Sequence, residues 1–213
     1  MTTPAPEPAG ATVTSTPVQL GVKPRPRPRP GEQCDLCGEP VPDDHRHVVN
    51  LRSRALLCSC RACYLLFTSS GAGGGLMRAV PDRFEAVPRL SLDTATWDAL
   101  QVPVGVVFFV YSSLAGHVSA FYPGPAGAAE SLLPLSAWGE ILAAHPVLDD
   151  VMPDVEAVLI RGDEAFVVPI DACYELVGLL RVHWRGFDGG EESHRALDDF
   201  FAGVRERARV AAP

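Results

Sequence analysis

The chain has almost no lysine and almost no asparagine. Lys23 is the only lysine, against 17 arginines, and Asn50 is the only asparagine. Isoleucine is scarce too, with only Ile141, Ile160 and Ile170, while Ala, Gly and Pro are plentiful. This bias against AT-rich codons points to a high-GC bacterial source. Basic charge is short overall, 18 Lys and Arg against 26 Asp and Glu for a net charge of −8. That balance argues against wholesale nucleic-acid binding, which needs a basic surface to neutralise phosphates. Long apolar runs are missing: the strongest, Val102 to Tyr111, is far below the roughly 20 residues a spanning helix takes. The first 30 residues contain no continuous apolar stretch, so no secretory signal is expected and a cytoplasmic location is the default.

Several catalytic signatures are also absent. Gly71-Ala-Gly73-Gly74-Gly75-Leu76 begins like a dinucleotide-binding loop, but leucine stands where the third glycine belongs. It also lacks the lysine and hydroxyl residue of a phosphate-binding loop, and reads as a hairpin tip. No nucleophile elbow of the Gly-x-Ser-x-Gly type occurs. The six histidines form no His-rich tract and no His-x2-His or His-Glu-x2-His spacing. Cys173 falls in the first turn of an expected helix, where the dipole lowers a thiol pKa, but no base accompanies it and a core cysteine is the simpler reading.

What the chain does have begins with residues 1–30, a leader of Pro, Ala and Thr ending in Lys23-Pro24-Arg25-Pro26-Arg27-Pro28-Arg29-Pro30. Such a segment favours an extended, solvated polyproline conformation and is expected to be disordered. Residues 31–90 carry a four-cysteine module with a hairpin, and residues 97–210 an α+β domain. Acidity is concentrated in that last part: from Trp97 onward there are 17 acidic and 7 basic residues. An acidic face there suits a basic protein partner or simply solubility.

Cys34-x2-Cys37 and Cys60-x2-Cys63 are separated by 22 residues. Two cysteines two residues apart wrap a cation in a tight knuckle, and two knuckles supply the four thiolates of a closed structural Zn2+ site. In a cytosolic chain this pattern reads as metal ligation in preference to disulfides. A module of some 35 residues buries little apolar surface and gains from such a staple. Cys58 complicates the set. In an extended Cys58-Ser59-Cys60 the first and third side chains share a face, so Cys58 is an alternative ligand, which leaves iron or an iron–sulfur cluster as the alternative to zinc. His45 and His47 lie between the knuckles and could replace a cysteine as ligands, but with four well-spaced thiols they read more simply as solvent-facing loop residues. Cys63–Phe67 and Leu76–Val80 are apolar runs suited to strands that pair beside the metal site.

Further along, Val104–Tyr111 and His117–Tyr122 are expected as neighbouring strands, and Val155–Ile160 and Ala165–Val168 as another pair around Arg161-Gly-Asp-Glu164. Helices are expected from Ser136 to about Ala144, from an Asp171 N-cap to about Val182, and over Glu191–Val210. In the last, Leu197, Phe200, Phe201, Val204 and Ala208 share a face. Together these give a small four-cysteine zinc-knuckle module followed by an antiparallel sheet with helices on one side. Trp184-Arg-Gly-Phe-Asp-Gly-Gly190 is an aromatic and glycine loop that either meets a partner or plugs the core edge.

Four strings together resemble an uncharacterised actinobacterial domain-of-unknown-function family, DUF5947: Cys34-Asp-Leu-Cys37-Gly38, Cys58-Ser-Cys-Arg-Ala-Cys63-Tyr-Leu-Leu-Phe67, Val168-Pro-Ile-Asp-Ala-Cys-Tyr174 and Trp184-Arg-Gly-Phe-Asp-Gly-Gly190. The resemblance runs from about residue 31 to 209. It implies a gene neighbourhood of nickel–iron hydrogenase structural and maturation genes, and hence an accessory or assembly protein whose partner is a hydrogenase subunit or maturation factor. It implies no catalytic residues.

Overall fold

The computed structural model describes residues 33–69, 71–90, 105–131, 145–186 and 189–210, with 92, 94 and 97 singly. The leader and the helix expected over Ser136–Ala144 lie outside the described residues. The chain builds two sheets. In the smaller, β1 (Arg46–Asn50) lies between β2 (Ala55–Ser59) and β3 (Met77–Ala79), antiparallel to both. Asn50 closes the β1–β2 hairpin by accepting hydrogen bonds from the N–H groups of Arg52 and Ser53 on its Oδ1, at 3.1 and 3.2 Å. That is the side-chain turn for which asparagine is suited.

The larger sheet contains β4 (Glu85–Ala86), β5 (Val106–Ser112), β6 (His117–Gly124), β7 (Gly127–Ser131), β8 (Glu156–Arg161), β9 (Glu164–Pro169) and β10 (Arg209–Val210). Its order is β10-β4-β9-β8-β5-β6-β7, antiparallel except for the β10–β4 pair. Both faces are buried, which explains why β5, β8 and β9 read as continuous apolar runs without alternation. Val106, Phe108, Leu159, Phe166 and Val168 face α2 (Ile170–His183) and α3 (Gly190–Arg207), packing on Leu176, Leu180, Leu197 and Phe201. Val107, Phe109, Val158, Ile160 and Val167 face the other way, onto Val87, Leu90, Leu92 and Leu148. The α+β expectation, an antiparallel sheet with helices on one side, therefore holds. The smaller sheet joins the helical side, since Val49, Leu51, Val80 and Phe84 belong to the same apolar cluster as α2 and α3.

Four local expectations need correction. The run Cys63–Phe67 is not a strand. It continues α1 (Arg61–Leu66), and no β-branched residue within it opposes a helical turn. Leu76–Val80 does supply a strand, but its partner is β1. The last helix stops at Arg207, because Arg209 donates its N–H to the Phe84 carbonyl at 3.0 Å and enters the sheet. The guanidinium of Arg207 sits 3.8 Å from the centre of the Phe84 ring and anchors this exit. Finally, Pro169 occupies the N-cap position of α2, and Asp171 lies in the first turn.

Candidate metal centre

The first knuckle is a tight reversal. Cys34 donates its N–H to the Glu39 carbonyl at 2.7 Å, and Gly38 donates to the Cys34 carbonyl at 2.8 Å. Gly38 has φ of +75°, a conformation glycine adopts at little cost. The second knuckle is the start of α1: Cys60 is the N-cap, and its Sγ accepts the N–H of Cys63 at 3.5 Å. Helical geometry thus supplies the turn that a glycine supplies in the first. Tyr64, next in the helix, ties α1 to the small sheet by donating its hydroxyl to the Val80 carbonyl at 3.0 Å.

The two knuckles are held together by Asp35, which the spacing alone did not single out. Its N–H donates to the Cys58 carbonyl at 2.9 Å, and its Oδ2 accepts the Cys58 N–H at 2.7 Å. One residue from the first knuckle therefore clamps the root of the second through two hydrogen bonds.

The outcome is a convergent set of thiols. The sulfurs of Cys34, Cys37, Cys60 and Cys63 all lie within 4.8 Å of one another, and those of Cys37 and Cys60 are 3.7 Å apart. Ligands 2.3 Å from a tetrahedral ion stand about 3.8 Å from each other. The group has the shape of a closed four-sulfur site that could hold a metal ion. Cys34 and Cys63 are buried with Val41, and Cys37 is exposed.

The electrostatics fit a cation. Burial opposes ionisation of Cys34, but backbone hydrogen bonds from Cys60, Leu36 and Cys37 outweigh it and bring the thiol down to about 7. At Cys37, a backbone hydrogen bond from Glu39 and the Cys63 thiol favour the thiolate, yet burial and the thiols of Cys34 and Cys60 push it up. Burial and the three neighbouring thiols push Cys63 well above its ordinary value. Four sulfurs packed this closely cannot all ionise without a positive charge among them.

The other sequence candidates fall elsewhere. Cys58, at the end of β2, does not point with Cys60: the strand ends at Ser59, and Cys58 groups with His45 and His47. Burial, then the Asp35 carboxylate and Cys34, raise its thiol. Cys173 is fully buried in the helical core, and burial, then Asp171, raise it. That is the environment of a packing cysteine, not of a nucleophile. Trp184 packs on the same core and donates its Nε1–H to the Gly186 carbonyl at 3.0 Å, and Phe187 lies outside the described residues. The glycine run forms a 3-10 turn after α1.

A family model described as a family of unknown function (DUF5947) matches residues 33–208, which takes in both sheets and all four clustered thiols. Comparison with curated proteins and with solved structures finds no match.

Proposed function

The chain belongs to that family of unknown function, and we propose that it is a non-enzymatic accessory protein in which Cys34, Cys37, Cys60 and Cys63 hold one structural Zn2+ and the stapled end binds another protein. The observation that carries the reading is the convergence of four thiols within 4.8 Å at the junction of two clamped knuckles. Four protein sulfurs fill a tetrahedral ion's coordination shell and leave no position open for substrate, the hallmark of a structural centre.

Protein binding is supported by the apolar side chains around those ligands. Leu36, Leu65 and Leu66 are 36%, 54% and 66% exposed, and each lies within three residues of a proposed ligand. Isolated exposed leucines are ordinary, and three close in sequence to the ligands of one small metal-bearing unit support an interface there. The acidic residues of the 97–210 part would complement basic groups on the partner. No helix among the described residues is long and apolar enough to cross a membrane. The finer assignment, to a hydrogenase subunit or maturation factor in the cytoplasm of an actinobacterium, rests on the gene neighbourhood that the family resemblance implies.

Elemental analysis and a visible spectrum of protein purified without oxygen test the metal. About one zinc per chain and no colour support the staple. Iron with visible absorption bands overturns zinc and favours a rubredoxin-like or iron–sulfur electron carrier, which the same four-sulfur geometry accommodates. For the partner, affinity purification from the native host should recover a hydrogenase component. The Leu65→Asp/Leu66→Asp variant should lose that component while keeping its metal. Recovery of none by the wild-type chain overturns the partner assignment.

A further inference from the structure

We propose that His45, His47 and Cys58 form a second metal site, which takes a late first-row divalent cation such as Zn2+ through two imidazole nitrogens and one thiolate. It lies outside the four-cysteine centre and does not depend on that centre holding zinc.

One ring nitrogen from each histidine and the sulfur of Cys58 lie within 4.8 Å of one another. The small sheet brings them together. His47 and Cys58 are directly opposed in the β1–β2 register. His45, two residues before His47, brings its ring to within 4.9 Å of the His47 ring. A tetrahedral ion 2.0–2.1 Å from nitrogen and 2.3 Å from sulfur needs nitrogen and sulfur about 3.5 Å apart, a spacing below the 4.8 Å within which the three donor atoms lie.

The hydrogen bonds identify which nitrogens are free. Nδ1 of His47 faces Oδ2 of Asp171 at 3.0 Å, and Nδ1 of His45 faces the Pro42 carbonyl at 2.8 Å. A carboxylate and a carbonyl only accept, so both Nδ1 atoms carry a proton, and in the neutral ring the nitrogen left with a lone pair for a metal is Nε2. This is the outer arrangement that orients metal-binding histidines, with a carboxylate or backbone carbonyl fixing tautomer and ring plane. Nε2 of His45 is buried and has no hydrogen-bond partner among the described residues. A buried acceptor left so is costly, and a cation satisfies it.

The surroundings favour positive charge. Both histidines line a cleft of about 670 Å³, together with Asp43, Asp44, Asp82 and Asp171; Arg46 and Arg207 also line it, each paired with Asp82. His45 and His47 line this cleft and Cys58 opposes His47 in the β1–β2 register, so three protein donors leave a fourth position for water or an exchangeable small ligand, unlike the closed four-sulfur centre.

The test uses the full chain. Protein loaded to one equivalent of Zn2+ is titrated with Co2+, and bound cobalt, released zinc and the visible and near-ultraviolet spectra are followed. One cobalt should enter per chain without releasing zinc, with tetrahedral bands and a thiolate charge-transfer band. His45→Ala and His47→Gln should abolish this uptake and keep the first ion. Cys58→Ser should remove the charge-transfer band. Asp171→Ala should weaken cobalt binding roughly 10- to 100-fold. His45 precedes β1, so its variant reads the site even where Cys58→Ser misfolds. The proposal is overturned if the loaded protein takes up no cobalt, if cobalt enters only by expelling zinc, or if the His45→Ala spectrum matches the wild type. Failure of the structural centre shows differently, in the first equivalent and in Cys37→Ser.

Discussion

Removing the Asp35 side chain should weaken metal binding at the four-cysteine centre by about five- to tenfold without touching a ligand. The magnitude follows from the clamp. Asp35 Oδ2 accepts the Cys58 N–H at 2.7 Å, a short bond with a charged acceptor. Such bonds contribute about 1.5–3 kcal/mol, and because Asp35 is exposed, screening by water reduces this to roughly 1–1.5 kcal/mol. At 1.4 kcal/mol per decade, that is about a five- to tenfold change in a dissociation constant. The change falls on the metal because 22 residues separate the knuckles. Without the clamp, the entropy of bringing them together is met when the ion binds. Competition against a chromogenic chelator at fixed pH measures it, with circular dichroism to verify the fold. Asp35→Asn keeps an acceptor but loses the charge and should fall between Asp35→Ala and the wild type. An unchanged affinity in Asp35→Ala with an intact fold refutes the clamp as the organiser of the site.

Glu156 is fully buried, and although Met152 N–H and Arg83 meet its Oε2, burial raises its pKa. Over the pH range from the ordinary carboxylate value to the raised one, the folded chain holds a proton that the unfolded chain has lost, so stability falls as pH rises through it. Glu156→Gln should therefore match the wild type at low pH and exceed it at neutral pH in urea unfolding, and a variant weaker at both values contradicts the sign. Gly73 has φ of +59°, and a Cβ there would stand 3.0 Å from Phe67 Cε1 and 3.1 Å from Met77 Cγ. Gly73→Ala should lower Tm by roughly 4–8 °C, for about 2 kcal/mol, and Gly74→Ala by about half as much, since a Cβ at Gly74 meets open space; equal losses would discount the contact. Cys37→Ser should raise amide exchange in residues 33–44 and 58–67 and leave β1 protected, because Val48 and Val49 are buried in the core. Exchange rising across the whole chain would show that the staple supports more than its own knuckles.

The larger sheet was legible because burial on both faces writes itself as contiguous Val, Ile, Phe and Leu. The strands around Arg161-Gly-Asp-Glu164 and Ser112–Gly116 appear where those runs predict. Of the smaller sheet only β3 was legible, in the apolar run Leu76–Val80. β1 is Arg-His-Val-Val-Asn, with two apolar residues among polar ones, and its identity comes from packing Val48 and Val49 inward. Its signal in the sequence was the single asparagine, whose turn closes the hairpin. β4 and β10 are two-residue strands fixed by the Arg209–Phe84 hydrogen bond and the Arg207 stack, contacts more than 120 residues apart that no local pattern encodes.

The same contrast governs the two ligand sets. Cys-x2-Cys spacing announces itself because both members of a knuckle are local, and one turn of backbone places them. His45, His47 and Cys58 have no such spacing, and only the β1–β2 register sets Cys58 against His47. The deciding group, Asp171, stands 124 residues from the imidazole it orients and looked like a helix cap in the sequence. Its place in the first turn of α2 instead turns the carboxylate toward the small sheet, where it fixes the tautomer of His47. A site assembled across elements in this way is visible only through the hydrogen bonds of its outer partners. The Nε2 of His45, without a hydrogen-bond partner among the described residues, then asks for a ligand.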